Sequence, residues 1–133
     1  MTISEVSINN LRATKSNKIK LSPGINLLYG NNGVGKTTIL ETIYLLAYGK
    51  SFKTQKTQTI IGNIKKISGG FLKTTKDNIL KIKFFNNKKT LTLDNIKVSK
   101  ISEHIHFLPC IVFSPDETTL EGKQNSPKQK NIN

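Results

Sequence analysis

A chain of 133 residues with 21 basic and 8 acidic side chains, a net charge of +13 and 35% hydrophobic content fits one domain with a modest core and no second one. A single cysteine, Cys110, excludes an internal disulfide and supplies no zinc spacing, no apolar run approaches the ~18 residues of a membrane span, and the start lacks a basic-then-apolar leader, all pointing to a cytoplasmic setting. The charge suits a polyanionic partner such as nucleic acid, although the lysines read as scattered and few aromatics interleave with them.

Residues 3–8 alternate apolar and polar side chains, which predicts a strand with one buried face. "NNLRAT" turns, residues 19–21 form a short second strand, and "SPG" launches "INLLY" at residues 25–29. That run is apolar except at Asn26, as expected for a strand covered on both sides. Next, Ile39, Ile43, Leu46 and Ala47 recur at helical spacing, with Leu40 and Tyr44 beside them, predicting a helix over residues 36–48 closed by Gly49.

A polar basic linker, "GKSFKTQKTQT", follows the helix. "IIGNIKKISGG" opens another extended segment, with "ISGG" itself read as a turn. "ILKIKFF", a turn at "NNKK", "TLTLD" and "IKV" predict a hairpin or meander. "IHFLPCIVF" reads as a buried strand before the turn "SPDE", with Cys110 as a small core residue. His104 and His106 have no cysteine or carboxylate at ligand spacing, so no metal site is expected there. Residues 1–117 form the folded unit, and 118–133 a polar basic tail.

Between residues 25–29 and the helix lies "GNNGVGKT". Gly30, Gly35, Lys36 and Thr37 fill the phosphate-binding pattern Gly-x-x-x-x-Gly-Lys-Ser/Thr in its confirming context, strand before and helix after. Glycines let successive backbone N–H groups turn inward around phosphate oxygens, and the helix that follows aims its positive end at the same point. Lys36 would lie across the β- and γ-phosphates, and the Thr37 hydroxyl would ligate Mg²⁺. The chemistry implied is binding of a nucleoside triphosphate such as ATP with magnesium.

The surrounding residues resemble a narrower group. "NLR", "SPG", "GNNGVGKT", "LETI" and "GKSFKT", with the later "IVFSPDETTL", are similar in order and spacing to motifs of the RecF family of bacterial DNA replication and repair proteins. The fold this implies is α/β: a P-loop NTPase, the first lobe of an ABC-type ATPase head with an antiparallel β subdomain, incomplete at the C-terminus. The resemblance further implies ATP binding and ATP-dependent homodimerisation of heads. It implies DNA binding at gaps or single-strand/double-strand junctions, and work with RecR and RecO in loading RecA during the SOS response. Carried over by position, Gly30, Asn31, Asn32, Gly33, Val34, Gly35, Lys36, Thr37 and Thr38 line the nucleotide, with Thr37 on the metal. Arg12, the only arginine, would reach the γ-phosphate.

The departures are as informative. Leu11 stands where the family has an aromatic, and Lys53 where it has an arginine. The coiled-coil-like lobe, the signature motif, the Walker B aspartate, the catalytic carboxylate and the switch histidine are not found. Ser114 and Pro115 break the strand ahead of Asp116 and Glu117, which therefore make a poor Walker B pair. No catalytic residue is assigned, and little or no ATP turnover is expected. Two other readings compete: a basic nucleic-acid-binding remnant without ATP use, and a small P-loop kinase. A kinase would need a substrate carboxylate or arginine lid after the helix, and the one arginine lies upstream of the loop.

Overall fold

The computed structural model describes residues 1–12, 14–30, 35–52 and 67–113. Its framework is a six-stranded antiparallel sheet in the order β2-β1-β3-β4-β5-β6. The strands are β1 (Ile3–Leu11), β2 (Thr14–Lys20), β3 (Ser68–Thr74), β4 (Ile79–Phe85), β5 (Lys88–Leu93) and β6 (Ile96–Lys97). Two helices accompany them, α1 (Lys36–Tyr48) and the single-turn α2 (Ile101–His104).

Local sequence explains most of this. Strand β4 alternates exposed and buried residues without a break, placing Leu80, Ile82 and Phe84 on the core face. It turns into β5 through Asn86 and Asn87, both with positive φ (50° and 61°), the conformation that two-residue hairpin loops require and that asparagine tolerates. Asp94 and Asn95 repeat the device between β5 and β6. The helix begins and ends where expected, and Gly49 caps its end by donating its N–H to the Leu45 carbonyl at 2.7 Å.

Helix α1 packs on β1, β3 and β4. Leu45, Leu46 and Ala47 join Ile8, Leu11, Leu72, Leu80, Ile82, Phe84 and Leu91 in one core. The helix comes close because β3 carries Gly70 under it. A Cβ there would stand 2.6 Å from the Ser7 carbonyl oxygen and 2.8 Å from Thr42 Cγ2. "ISGG" is thus partly strand rather than turn, since Ser68, Gly69 and Gly70 lie in β3. Its glycines answer to crowding between layers, which in sequence looks like a chain reversal.

Two further expectations fail. Residues 25–29 join no strand, and Ile25, Leu27 and Tyr29 are 99%, 79% and 83% exposed. Residues 105–113 also form no strand; the chain passes from α2 through turns, leaving Ile111 and Phe113 80% and 90% exposed. Apolar runs of this kind become strands only against neighbours, and the described sheet offers them none. The second strand is longer than expected because pairing with β1 carries it back to Thr14. The tail at 118–133, Asp116 and Glu117 lie outside the described residues.

Candidate phosphate-binding site

The site grows from the junction of the β1–β2 hairpin with the start of α1. Gly35, the residue before the helix, has φ 86° and ψ 15°, a left-handed conformation costly for a side chain. A Cβ there would also approach Thr14 Oγ1 to 3.0 Å, so the hairpin turn sits against the loop's end. No side chain caps the helix and its first turn carries no acid, while Ile39 N–H already reaches back to Gly35 O at 3.0 Å. Among the described residues no partner takes the backbone donors ahead of Ile39, and with the helix dipole they suit an anion.

Lys36 donates its ammonium to the carbonyl of Gly30, bridging the two described ends of the loop. Thr37 is exposed at the helix start; Thr38 is buried, and its carbonyl accepts the Thr42 hydroxyl at 2.7 Å. Asn31, Asn32, Gly33 and Val34, also expected to line the nucleotide, lie outside the described residues. Uncapped donors, a lysine at the loop mouth and a hydroxyl beside it fit a magnesium-bound phosphate chain.

Arg12 sits at the hairpin turn with φ 50°. Its guanidinium grips Glu41 of α1 with two parallel hydrogen bonds, Nε to Oε1 at 2.6 Å and Nη2 to Oε2 at 2.8 Å. Glu41 is 1% exposed and also accepts the Ser51 hydroxyl. The hydrogen bond from Arg12 to Glu41 is the largest influence on the guanidinium and raises its pKa, against a smaller lowering by burial. The planar, forked task of the chain's one arginine is thus a carboxylate within the fold, at the edge of the phosphate loop. The sequence did not single out Glu41, which was masked by its place inside an apolar run.

A second feature is the outer face of the sheet. Strand register collects Lys18, Lys20, Lys73, Lys81, Lys83, Lys88 and Lys97 there, with Glu5 as its acid on β1. Seven lysines that read as scattered in sequence are therefore gathered on one side, and Phe71 lies among them opposite Lys81. Glu5 is engaged by Lys18 at 3.2 Å. The histidines do different work: His104 is buried, its Nε2 2.8 Å from the Leu46 carbonyl. A concavity of about 610 Å³ at the other end, lined by Leu93, Ile96, Val98, His104 and Phe107 among others, shares no residue with the phosphate loop. No helix among the described residues is long and apolar enough to cross a membrane.

Comparison with known proteins agrees with this geometry. A model of the AAA domain family matches residues 5–132. The chain is similar to the DNA replication and repair protein RecF of Clostridioides difficile, 31% identical over 98% of this chain and 35% of that protein. It is similar to RecF of Cytophaga hutchinsonii at 38% identity over 90% of this chain and 33% of that protein. Two solved structures, of the recombination mediator protein RecF with ATPrS and with ATP in the RecFOR pathway, superpose with TM-scores of 0.72 at 25% identity. Each covers 86% of this chain, which in turn accounts for 32% and 33% of those chains. The chain thus spans about a third of the relatives it matches, and its fold is that of their N-terminal P-loop lobe.

Proposed function

The chain belongs to the AAA domain family, and from that premise we propose that it is an ATP-binding, DNA-binding unit of RecF-like replication and recombinational repair. The observation that carries the reading is the phosphate loop itself. Its lysine bridges the loop ends, its closing glycine is left-handed, and it feeds a helix whose first turn offers uncompensated backbone donors.

Gly30 to Thr38 cradle the triphosphate, Lys36 supplies the point charge and Thr37 the hydroxyl for Mg²⁺. Arg12 is bound to Glu41 through Nε and Nη2 at the margin of the loop, and reach of its remaining nitrogen to the γ-phosphate is part of the proposal that the kinship supports. When bound, ATP·Mg²⁺ would supply the binding energy for joining two heads into a homodimer. Turnover by this chain is slow or absent, since hydrolysis needs an oriented water and a base, and none of the described residues at the loop offers one. The lysine-rich outer face supports contact with DNA phosphates at gaps or single-strand/double-strand junctions. The kinship is what supports extending the proposal to RecR- and RecO-like partners, RecA loading, the SOS response and a cytoplasmic site of action.

The test is equilibrium binding of a fluorescent ATP analogue with Mg²⁺ to the intact chain and to Lys36→Ala. Binding lost in the variant is expected; no binding by the intact chain would refute the nucleotide reading, and equal binding by both would refute the assignment of Lys36 to the phosphates. For DNA, Lys81→Glu with Lys83→Glu should weaken binding and flatten its salt dependence, whereas affinity indifferent to salt would exclude a phosphate-contacting face. The remnant reading, nucleic-acid binding without ATP, is what the second result without the first would leave.

A further inference from the structure

We infer that the bare patch of sheet over Gly69 is a slot for one unpaired nucleobase of a bound DNA strand, with Phe71 as its stacking platform. The inference rests on the reading of the lysine-rich outer face as a DNA contact, and adds to it a means of telling an unpaired strand from a duplex.

The slot follows from strand register. Residues two apart on a strand share a face, so Gly69 and Phe71 stand in file on the outer side of the sheet, with Ile67 next in line. Gly69 puts no side chain between those two apolar neighbours, and across the strands it is opposed by Asn9 of β1 and Lys83 of β4. The result is a groove of about 280 Å³ walled by Ile67, Phe71, Asn9 and Lys83, with Ser7 and Lys81 beside Phe71. Ser68 and Ile82 also border it, but both are buried and belong by register to the core face, so the floor is peptide backbone. The gap is enforced, because a Cβ on Gly69 would stand 2.0 Å from the Ile82 carbonyl oxygen and part β3 from β4. Ile67 is held in place through its carbonyl, which accepts the Asn10 side-chain amide at 3.3 Å.

The chemistry selects the occupant. An aromatic and an aliphatic side chain facing across a gap accept a flat π-face from any base, and the Asn9 amide, with two donors and an acceptor, can meet any base edge. Lys81 and Lys83 supply cations for the adjoining phosphates, and no acid borders the groove. The slot also sits in the middle of a track: one row across the sheet runs Lys18, Ser7, Phe71, Lys81, Thr92 and Lys97. At about 4.8 Å per strand that row is roughly 24 Å long, room for about seven nucleotides at ~3.4 Å each, which suits a strand and exceeds what a free mononucleotide needs. A duplex meets the same lysines through its phosphates but keeps its bases paired and stacked inside, so it leaves the slot unfilled.

The test is fluorescence anisotropy of labelled oligothymidylate, and of a duplex of equal length, with the 133-residue chain at low salt. Phe71→Leu, which keeps apolar bulk and loses the ring, should weaken the single strand at least about fivefold and the duplex less than about twofold, and Phe71→Trp should restore the strand. An oligomer of abasic deoxyribose phosphates should bind the intact chain as weakly as thymidylate binds Phe71→Leu, since it has the charges without the bases. That comparison needs no variant, so it stands whatever substitution does to the fold. Lys81→Glu with Lys83→Glu should weaken strand and duplex alike. If neither strand nor duplex binds the intact chain, the DNA reading fails and takes the slot with it. If both bind, the slot alone is overturned by an abasic oligomer that binds as well as thymidylate, by a Phe71→Leu variant that leaves the strand unchanged or weakens strand and duplex equally, or by free thymidine monophosphate that binds as tightly as the strand.

Discussion

Removing the arginine end of the Arg12–Glu41 pair should cost more than neutralising the glutamate end. Arg12→Ala strands a carboxylate that is 1% exposed, with the Ser51 hydroxyl among its remaining partners, and breaking a buried pair in this way costs about 3–5 kcal/mol. Glu41→Gln leaves a guanidinium that is 25% exposed, able to recruit water and still facing a carbonyl oxygen, for about 1–3 kcal/mol. With an unfolding entropy near 2.1 cal/mol/K per residue over 133 residues, a 4 kcal/mol loss lowers Tm by about 14 °C. The pair raises the arginine's folded pKa above its already high ordinary value. Its stabilisation is therefore present below that value and lost only as pH rises through the folded one, so the Arg12→Ala penalty should be flat between about pH 7 and 10. Urea unfolding of both variants and of Arg12→Met with Glu41→Leu measures this, and the apolar double variant should recover most of the loss. A cost below about 1 kcal/mol for Arg12→Ala, or an equal cost for Glu41→Gln, would refute the reasoning.

Gly70→Ala should destabilise by about 1–3 kcal/mol, read by urea unfolding, because its methyl meets the Ser7 carbonyl oxygen of β1 and Thr42 of α1, and relieving the clash means shifting one element or the other. The Asp94 carboxyl accepts the Ile79 N–H at 2.8 Å and the Asn78 amide at 2.8 Å, which hold it below its ordinary 3.8. Its contribution is complete above that value and fades as pH falls through the lower folded one, so Asp94→Asn should flatten the acid limb of the stability curve, and an NMR titration should place the midpoint below 3.8. Burial pushes the Cys110 thiol up from 9.0, so alkylation by iodoacetamide at pH 8 should run slower than for free cysteine and accelerate in urea.

The sequence made visible what depends on neighbours in the chain. The helix over residues 36–48 emerged from apolar spacing and Gly49, and the β4–β5 hairpin from alternation around two asparagines. What it hid depends on neighbours in space. Thr38, Glu41 and Thr42 form a polar stripe buried against the sheet, which no hydrophobic pattern can reveal, because Arg12, 29 residues away, makes Glu41's burial tolerable. The lysine face required the register of five strand pairings, since alternate residues on separate strands look dispersed along the chain. Residues 25–29 misled in the opposite sense: they have a strand's composition but no strand beside them in the described sheet.

The strand order also dictates a sequence of events during folding. Pairs β4–β5 and β1–β2 meet across two-residue connections and can zip within microseconds, whereas β1 finds β3 only by joining Ile8 to Gly70, 62 positions on. That one closure carries most of the contact order, so refolding should be limited by it, with amides of the two hairpins protected before those between β1 and β3. The β1–β3 pair is therefore the last of the strand pairs to lock, and the arginine clasp between β1 and α1, which spans 29 positions, closes a loop less than half as long.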